Sequence, residues 1–296
     1  MSRYAIIEAP SPLGLWPSGI EHAPEVLLKL GLARALNARP DRRVEPPEYD
    51  PVRDAVTQML NPRGLAEYSP RLADAVGAVL DKGEFPVVLG GDCSILLGCT
   101  LALRRRGRYG LLFLDGHADF YQPEASPTGE AADMDLGLVS GRGPDAVVNL
   151  EGRKPYARDE DIVVFGQRDA AMTFKHGSRD VRATGMTVLD LIDVRKAGAK
   201  TAAAAAVAKL TAVGSLGFWI HLDVDVLDDA IMPAVDYRMT DGLDFDELVA
   251  VLQTATGTGR AVGLDITIFN PNLDPDRTVA RRLVDALRQG LAVEAA

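Results

Sequence analysis

Cysteine, positive charge and long apolar runs are all scarce in this sequence. Its 296 residues include two cysteines, Cys93 and Cys99, which cannot form a disulfide framework and indicate a reducing compartment. Lysine and arginine total 32 against 42 aspartates and glutamates, a formal net charge of −10, and an acidic chain without a basic stripe is a poor partner for nucleic acid. No apolar run approaches the roughly 18 residues of a membrane-spanning helix, and the N-terminal residues lack the pattern of a secretory signal. We therefore expect a cytoplasmic protein that binds neither nucleic acid nor membranes.

Short apolar runs alternate with longer amphipathic segments along the whole chain, without an internal repeat or a linker. Nearly continuous apolar runs are typical of strands that are covered on both faces. The predicted strands are 4–8, 85–89, 110–114, 161–165, 186–189, 217–222 and 261–268. The predicted helices are 24–36, 70–81, 94–105, 168–175, 190–213, 245–254 and 275–291. This alternation predicts one three-layer α/β/α domain, residues 1–296, with a mainly parallel sheet.

Metal-ligand side chains follow one of the predicted strands in the run LLFLDGHADF. Side chains two residues apart on an extended backbone share a face, so Asp115, His117 and Asp119 are expected to converge there. Two carboxylates and an imidazole suit Mn²⁺, Zn²⁺ or Fe²⁺ better than Mg²⁺ or Ca²⁺. The alternative is a polar turn without a metal.

A second strand repeats this arrangement in the run FWIHLDVDVLDD. Asp223 and Asp225 are expected to face the first group, and burying this acid pair is costly unless a cation compensates the charge. His221 shares their face one pleat back, which predicts a supporting role behind the ligands. Asp228 is expected to cap or brace the following turn.

A third candidate group lies in VVLGGDCSILLG, where Gly90 and Gly91 permit a tight turn from strand to helix. Cys93 is expected to face the other two groups or, alternatively, to be a small buried residue. Asp92 is predicted to support it, and Ser94 to cap the next helix. Because these acids and imidazoles exceed what one small cation needs, we predict two divalent ions spaced about 3.5–4 Å apart.

These motifs, in this order, resemble those of the ureohydrolase family, which contains arginase, agmatinase and formiminoglutamase. GGDCS is similar to the family's GGDHS, DGHAD to DAHxD, HLDVDVLDD to SxDxDxxDP, and GLDITIFNP to the segment that ends in EVNP. The resemblance covers essentially the whole chain and implies the arginase-like α/β fold. It also implies a small-molecule substrate and, by analogy, a homo-oligomer, either a trimer or a hexamer.

The resemblance further implies that six residues bind two Mn²⁺ ions: Cys93, Asp115, His117, Asp119, Asp223 and Asp225. In that scheme a hydroxide that bridges the two ions attacks a guanidinium carbon, and Asp119 takes its proton and passes it to the leaving amine. Cys93 stands where the family has histidine. Because a thiolate is a softer ligand, it favours Zn²⁺ or Fe²⁺ over Mn²⁺. With cysteine at this position, the sequence also resembles the branch of the family that contains hydroxyarginine amidinohydrolase.

Two further departures concern the implied substrate pocket. The family's proton-shuttle histidine falls on Ala132, so Glu130, Asp133 or Asp135 could replace it, unless these acids only cap a nearby helix. Glu130 and Asp133 are also expected to contact the substrate. Ile268 stands where arginase and agmatinase carry the glutamate that pairs with the guanidinium group.

The loss of that glutamate predicts a substrate other than plain arginine, such as a hydroxyguanidine or formimino compound, unless another acid supplies the charge. Glu130 and Asp236 are the candidates for that acid, and Arg238 could pair with a substrate carboxylate or lie free on the surface. His176 either lies near the site or merely ends its helix.

The sequence therefore predicts a metal-dependent C–N hydrolase of linear amidines. One alternative is a metal- or ligand-binding pseudoenzyme of the same fold, which the residues Ala132 and Ile268 support. The other is an amide deacetylase-like metal hydrolase.

Overall fold

The structure is a computed structural model that describes residues 4–212 and 214–291. Its strands are β1 (Tyr4–Ala9), β2 (Arg39–Arg43), β3 (Phe85–Gly90), β4 (Gly110–Leu114), β5 (Ile162–Phe165), β6 (Thr187–Leu189), β7 (Phe218–Asp223) and β8 (Ala261–Thr267). They form one eight-stranded sheet in the order β2-β1-β3-β8-β7-β4-β5-β6. All neighbouring strands are parallel, which confirms the predicted sheet.

Helices cover both faces of the sheet. They are α1 (Ala23–Lys29), α2 (Leu32–Ala35), α3 (Pro62–Leu80), α4 (Leu96–Arg104), α5 (Asp135–Val139), α6 (Asp145–Val148), α7 (Ala170–Lys175), α8 (Leu191–Ala197), α9 (Ala199–Leu210), α10 (Phe245–Thr256) and α11 (Thr278–Leu291). One apolar core lies between the sheet and α1, α2 and α8 to α11, and the other lies between the sheet and α3 to α6. This arrangement confirms the three-layer α/β/α prediction. Within the described residues, no helix is both long and apolar enough to span a membrane.

The seven predicted strands are present to within one residue at each end, but two predicted helices are interrupted. The segment 24–36 divides into α1 and α2 at Gly31, and the segment 190–213, whose last residue lies outside the described part, divides at Gly198. Both glycines have positive φ, 91° and 80°, which a continuous helix does not allow. The predicted helix 70–81 instead begins at Pro62, with Pro70 inside it.

Strand β2 was not predicted, because its sequence RPDRR is charged rather than apolar. It lies at the edge of the sheet, where one side of the strand faces solvent and charged side chains prevent further strand pairing.

The fold brings the four central strands β3, β8, β7 and β4 side by side, so that their carboxyl ends meet along one edge of the sheet. In parallel α/β sheets this edge is where ligands bind. Gly91, directly after β3, allows the chain to pass close to the end of β1, because a Cβ atom at this position would lie 2.0 Å from the Ser11 carbonyl oxygen. The turn that presents Cys93 therefore depends on glycine.

Candidate metal centre

The structure brings all six predicted metal ligands together at the carboxyl ends of β3, β4 and β7. Three sets of side chains have ligand atoms within 4.8 Å of one another: Cys93, Asp115 and His221; Asp115, His117 and Asp119; and Asp115, Asp223 and Asp225. Asp115 belongs to every set, so its carboxylate lies at the middle of the cluster. The arrangement provides more donor atoms than one small cation needs, as the sequence predicted.

On one side of Asp115, His117 pairs with Asp225. The two atoms His117 Nδ1 and Asp225 Oδ2 are 2.9 Å apart, and the Gly116 amide donates to Asp225 Oδ1 at 3.1 Å. The guanidinium group of Arg168 donates to the Asp225 carbonyl oxygen at 2.8 Å and so fixes the loop that carries this carboxylate.

On the other side of Asp115, the Cys93 thiol donates to Asp223 Oδ2, with 2.8 Å between sulfur and oxygen. The second oxygen, Oδ1, accepts from the Asp225 amide at 2.7 Å. Cys93 and Asp223 are both almost fully buried, with 1% and 2% exposure. Cys93 therefore faces the other groups, as expected, and is not a remote core residue.

The backbone that achieves this convergence differs from the prediction. Strand β4 ends at Leu114, so residues 115–119 are not extended, and Asp119 takes a positive φ of 41°. Asp225 likewise lies in a 3-10 turn, Val224–Val226, that follows β7. Tight turns, rather than alternation along a strand, aim these carboxylates at a common point.

Burial and mutual repulsion make this cluster unstable as a set of free anions. Burial first, and then neighbouring carboxylates, raise the pKa values of Asp115, Asp119 and Asp223 well above the usual range. Burial raises the pKa of the Cys93 thiol in the same way. Burial alone would lower the pKa of His117, but Asp225 outweighs it and raises this pKa to about 9. Burial would raise the pKa of Asp225, but the charge of His117 and its hydrogen bond lower it.

Several buried oxygens and one ring nitrogen in this cluster have no hydrogen-bond partner. They are Asp115 Oδ2, both carboxylate oxygens of Asp135, and His221 Nε2. A buried polar atom without a partner costs about 1–3 kcal/mol, and more when it is charged. Divalent cations would satisfy these atoms and neutralise the carboxylates, so the side chains present fit the metal ions that the sequence motifs imply.

His221, for which the sequence predicts a supporting role, is itself held by a carboxylate on the neighbouring strand β8. Its Nδ1 atom lies 2.5 Å from Asp265 Oδ2, and Asp265 is held in turn by the indole N–H of Trp219. The other ring nitrogen, Nε2, lies 4.0 Å from Asp115 Oδ2 and 3.9 Å from Asp135 Oδ2. The Nε2 edge of the His221 ring therefore faces the carboxylates of Asp115 and Asp135.

Asp92 and Asp228 brace loops around the site, as predicted. Asp92 accepts hydrogen bonds from the Gly14 amide at 3.0 Å and the Ser94 amide at 2.7 Å, so Asp92, not Ser94, caps the turn that begins at Cys93. Asp228 accepts from the Ala230 amide at 2.8 Å, away from the ligands.

A cavity opens above the cluster, and Cys93, His117, Asp119, Asp223 and Asp225 lie along its floor. Two predicted substrate residues line its wall. Glu130 Oε2 accepts from the Tyr237 hydroxyl at 2.8 Å, and burial raises the Glu130 pKa. Asp133 Oδ2 accepts from the Ser126 hydroxyl at 2.7 Å, and burial raises the Asp133 pKa to about 7.

The other two predicted substrate residues lie outside this cavity. The Asp236 carboxylate is occupied by the Ser18 hydroxyl at 2.9 Å and by the side-chain amide of Asn270 at 3.1 Å. Arg238 forms an ion pair with Asp229 at 3.3 Å and borders a separate surface cavity. Tyr237, which stands between them in the sequence, does line the cavity.

The sequence left open the role of one cavity residue, His176, and did not select another, Asp169. His176 ends α7 and also lines the cavity, where its Nδ1 lies 2.9 Å from the Tyr121 hydroxyl, so both interpretations of this histidine hold. Asp169, buried at the start of the same helix, lies on the same wall. No motif marked Asp169; only its place just after the end of β5 could have drawn attention to it.

Ile268 lines the cavity and keeps an unusual backbone. Its φ is 69°, a conformation that costs a β-branched residue about 1–3 kcal/mol. Its amide donates to the Gly91 carbonyl oxygen at 2.8 Å, which helps to hold the conformation. The backbone thus presents this side chain to the cavity, although the side chain is apolar.

The chain matches the family model described as "Arginase family" over residues 2–291. It is 26% identical over 288 residues to the arginase of Staphylococcus aureus (strain MRSA252), covering 94% of this chain and 93% of that one. It is 28% identical over 231 residues to the arginase of Bacillus subtilis (strain 168), covering 77% and 76%.

Solved structures show the same fold. The native arginase of Bacillus caldovelox superposes with a TM-score of 0.88 at 24% identity over the full length of both chains. The agmatine ureohydrolase of Thermoplasma volcanium gives a TM-score of 0.72 at 20% identity, covering 98% of this chain and 89% of that one. The family model, the whole-chain relatives and the clustered ligand residues lead to one conclusion: this chain belongs to the arginase family.

Proposed function

We propose that this protein hydrolyses a C–N bond of a guanidino- or amidine-type small molecule with two divalent metal ions. The observation that carries the proposal is the cluster of Cys93, Asp115, His117, Asp119, Asp223 and Asp225 on the floor of one cavity. Family membership supports this reaction type, since solved relatives include arginases and an agmatine ureohydrolase.

The side chains of the cluster have different roles around the metals. When bound, the ions supply a water molecule of lowered pKa and positive charge for the transition state. Asp119, whose carboxylate lines the cavity, would accept a proton there and return it to the leaving amine. The family favours Mn²⁺, whereas the soft Cys93 ligand favours Zn²⁺ or Fe²⁺.

Glu130 and Asp133 take the place of the missing shuttle histidine in this proposal. Both acids line the cavity near Ala132, and hydroxyl donors hold both. With a pKa of about 7, Asp133 can both accept and release a proton near neutral pH. Glu130 is also the one remaining candidate, among those that the sequence offered, to attract a basic substrate group.

The substrate is proposed to be less basic than arginine. Ile268 occupies the position of the guanidinium-pairing glutamate, and Leu15 and Met172 add further apolar surface to the cavity. A cationic guanidinium against this wall would lose a charge-assisted hydrogen bond, worth about 1.5–3 kcal/mol. A hydroxyguanidine or formimino group is held with a smaller loss. Arginine is the second candidate, because the relatives over most of the chain are arginases.

Turnover of a substrate panel tests the proposed function. We expect purified protein loaded with Mn²⁺, Zn²⁺ or Fe²⁺ to release an amine from at least one guanidino, hydroxyguanidino or formimino compound. Mass spectrometry detects the released amine. Acetate release from acetylated amines would favour the deacetylase alternative. Tight binding of a panel compound by folded, metal-loaded protein without any conversion would identify a pseudoenzyme.

Replacing Ile268 by glutamate is expected to shift specificity towards arginine or agmatine. The left-handed backbone at this position already accommodates a side chain, so the new carboxylate would face the cavity. Restoring one charge-assisted bond predicts a rise of roughly 10- to 100-fold in kcat/KM for a guanidinium substrate relative to a hydroxyguanidine. Ile268→Gln, of matched size but uncharged, is the control. Equal ratios in both variants would show that the acid is not the determinant.

A further inference from the structure

We propose that His221 binds one of the two metal ions together with Cys93 and Asp115. We call this ion the inner ion, and the ion near His117, Asp119 and Asp225 the outer ion. The inference rests on the proposed function for the existence of a metal site, but it assigns a donor set that the family motifs do not contain. In those motifs the residue at position 93 is histidine and the residue at position 221 is serine. This chain has exchanged both, so the imidazole reaches the site from β7 and the thiol from the turn after β3.

The imidazole of His221 is oriented as a metal-binding histidine is. Its Nδ1 atom is bonded to Asp265, which leaves the lone pair of Nε2 for a metal, and such a carboxylate partner is typical of metal-bound imidazoles. The ring is fully buried and stacks on Phe113 with 4.7 Å between ring centroids. A buried, fixed and unpartnered Nε2 atom is costly unless something binds it.

Two of the predicted metal ligands lie beside this nitrogen. Nε2, Cys93 Sγ and a carboxylate oxygen of Asp115 all lie within 4.8 Å of one another. Asp115 Oδ2, 4.0 Å from Nε2, has no hydrogen-bond partner.

Asp135, in the first turn of α5, also lies near this nitrogen. Its Oδ2 lies 3.9 Å from Nε2, and both of its oxygens are buried without partners. Donor atoms of one tetrahedral ion lie roughly 3.3–3.8 Å apart, because each is about 2.0–2.3 Å from the metal. His221 Nε2 and Asp115 Oδ2, 4.0 Å apart, therefore need only a small inward shift to bind one ion.

This donor set predicts a different metal from the one that the family favours. Nitrogen and sulfur donors select Zn²⁺, Fe²⁺ or Co²⁺, whereas Mn²⁺ prefers oxygen. The outer ion, near His117, Asp119 and Asp225, keeps the oxygen-rich environment. We therefore infer two unlike sites, of which the inner one binds the softer ion.

Co²⁺ is the probe for this inference, because it reports its ligands in the visible and near-ultraviolet spectrum. We expect metal-free protein to bind Co²⁺ with a thiolate-to-cobalt charge-transfer band that Cys93→Ser abolishes. His221→Asn keeps a donor for Asp265 but removes Nε2. We expect it to weaken the inner Co²⁺ by at least about 100-fold and to change its ligand-field bands. Cys99→Ala and His22→Asn, matched residues outside the cluster, are expected to leave the spectrum and the affinity unchanged.

Unchanged Co²⁺ affinity and spectrum in folded His221→Asn would overturn the assignment. If that variant does not fold, the crystal structure of the Zn²⁺-loaded wild-type protein decides instead. We expect an ion about 2.0–2.1 Å from His221 Nε2 and about 2.3 Å from Cys93 Sγ. An ion that is bound to Cys93 Sγ but lies out of contact with His221 Nε2 would refute the proposal. An ion held by Cys93 and His221 without turnover would leave this inference standing and remove the proposed function. Turnover by a protein whose His221 does not bind the metal would remove this inference and leave the proposed function standing.

Discussion

Asp223→Asn is expected to lower turnover by about 10³-fold or more, which corresponds to about 4 kcal/mol of lost transition-state stabilisation. Asp223 lies between the two sides of the cluster, bonded to Cys93 through one oxygen and to the Asp225 amide through the other. The amide keeps the shape of the side chain but removes an anionic ligand, so both metal affinity and turnover fall together. Titration of metal content and steady-state kinetics measure the two effects.

The same substitution is expected to raise the Tm of the metal-free protein. In the absence of metal, Asp223 is a buried acid beside other buried acids, and its neutral counterpart removes repulsion. Asp229→Asn, which affects a half-buried carboxylate paired with Arg238 outside the cavity, is the matched control. If Asp223→Asn destabilised the metal-free protein and left metal binding intact, Asp223 would be a structural residue and not a ligand.

Removing the metal is expected to make the protein less stable as pH rises. The folded chain raises the pKa values of Asp115, Asp119 and Asp223, so it retains protons that the unfolded chain releases above about pH 4. Unfolding therefore becomes more favourable as pH increases. His117 acts in the same direction: the stability from its raised pKa is complete below about pH 6.5 and is lost as pH rises through about 9. The lowered pKa of Asp225 matters only at lower, acidic pH.

Differential scanning calorimetry with and without metal measures this effect. For metal-free protein we expect the Tm at about pH 8.5 to lie about 5 °C or more below that at about pH 5.5. Metal-loaded protein is expected to show the opposite trend, since protons compete with metal for the same ligands. A metal-free Tm that rises with pH over this interval would show that the acids are stabilised by something other than protons or metal.

Most of the sheet could be predicted because its strands are buried on both faces. Strands such as Gly110–Leu114 are continuous apolar runs, and this pattern alone locates them. Strand Arg39–Arg43 could not be found in this way, since an edge strand buries little and its sequence is charged. The breaks at Gly31 and Gly198 are set by positive φ angles, which apolar periodicity does not encode.

The clustering of the six candidate ligands could be predicted because their residue types are rare in a buried environment and are closely spaced at strand ends. The reason given for their convergence was wrong in detail: turns, and the positive φ of Asp119, direct the side chains instead of extended alternation. The sequence could not show that Asp236 and Arg238 lie outside the cavity, because adjacent residues in a loop point in different directions. Only contacts made across the fold, with Asn270 and Asp229, show this.

The proximity of Asp135 and His221 could not be read from the sequence. Asp135 comes from a short helix and His221 from the interior of β7, and the two are brought to 3.9 Å only by the packing of one layer on the other. The bond from His221 to Asp265, on the neighbouring strand β8, depends on sheet order, which the sequence pattern does not specify.

Divalent cations are expected to hold these buried acids together. Elemental analysis of folded protein, after loading with Mn²⁺ and Zn²⁺ and dialysis, measures whether they do. We predict two divalent ions per chain in the wild-type protein, and a marked loss in Asp223→Asn. One ion per wild-type chain would contradict the two-ion site, and a cooperatively folded chain that retains none would contradict the account as a whole.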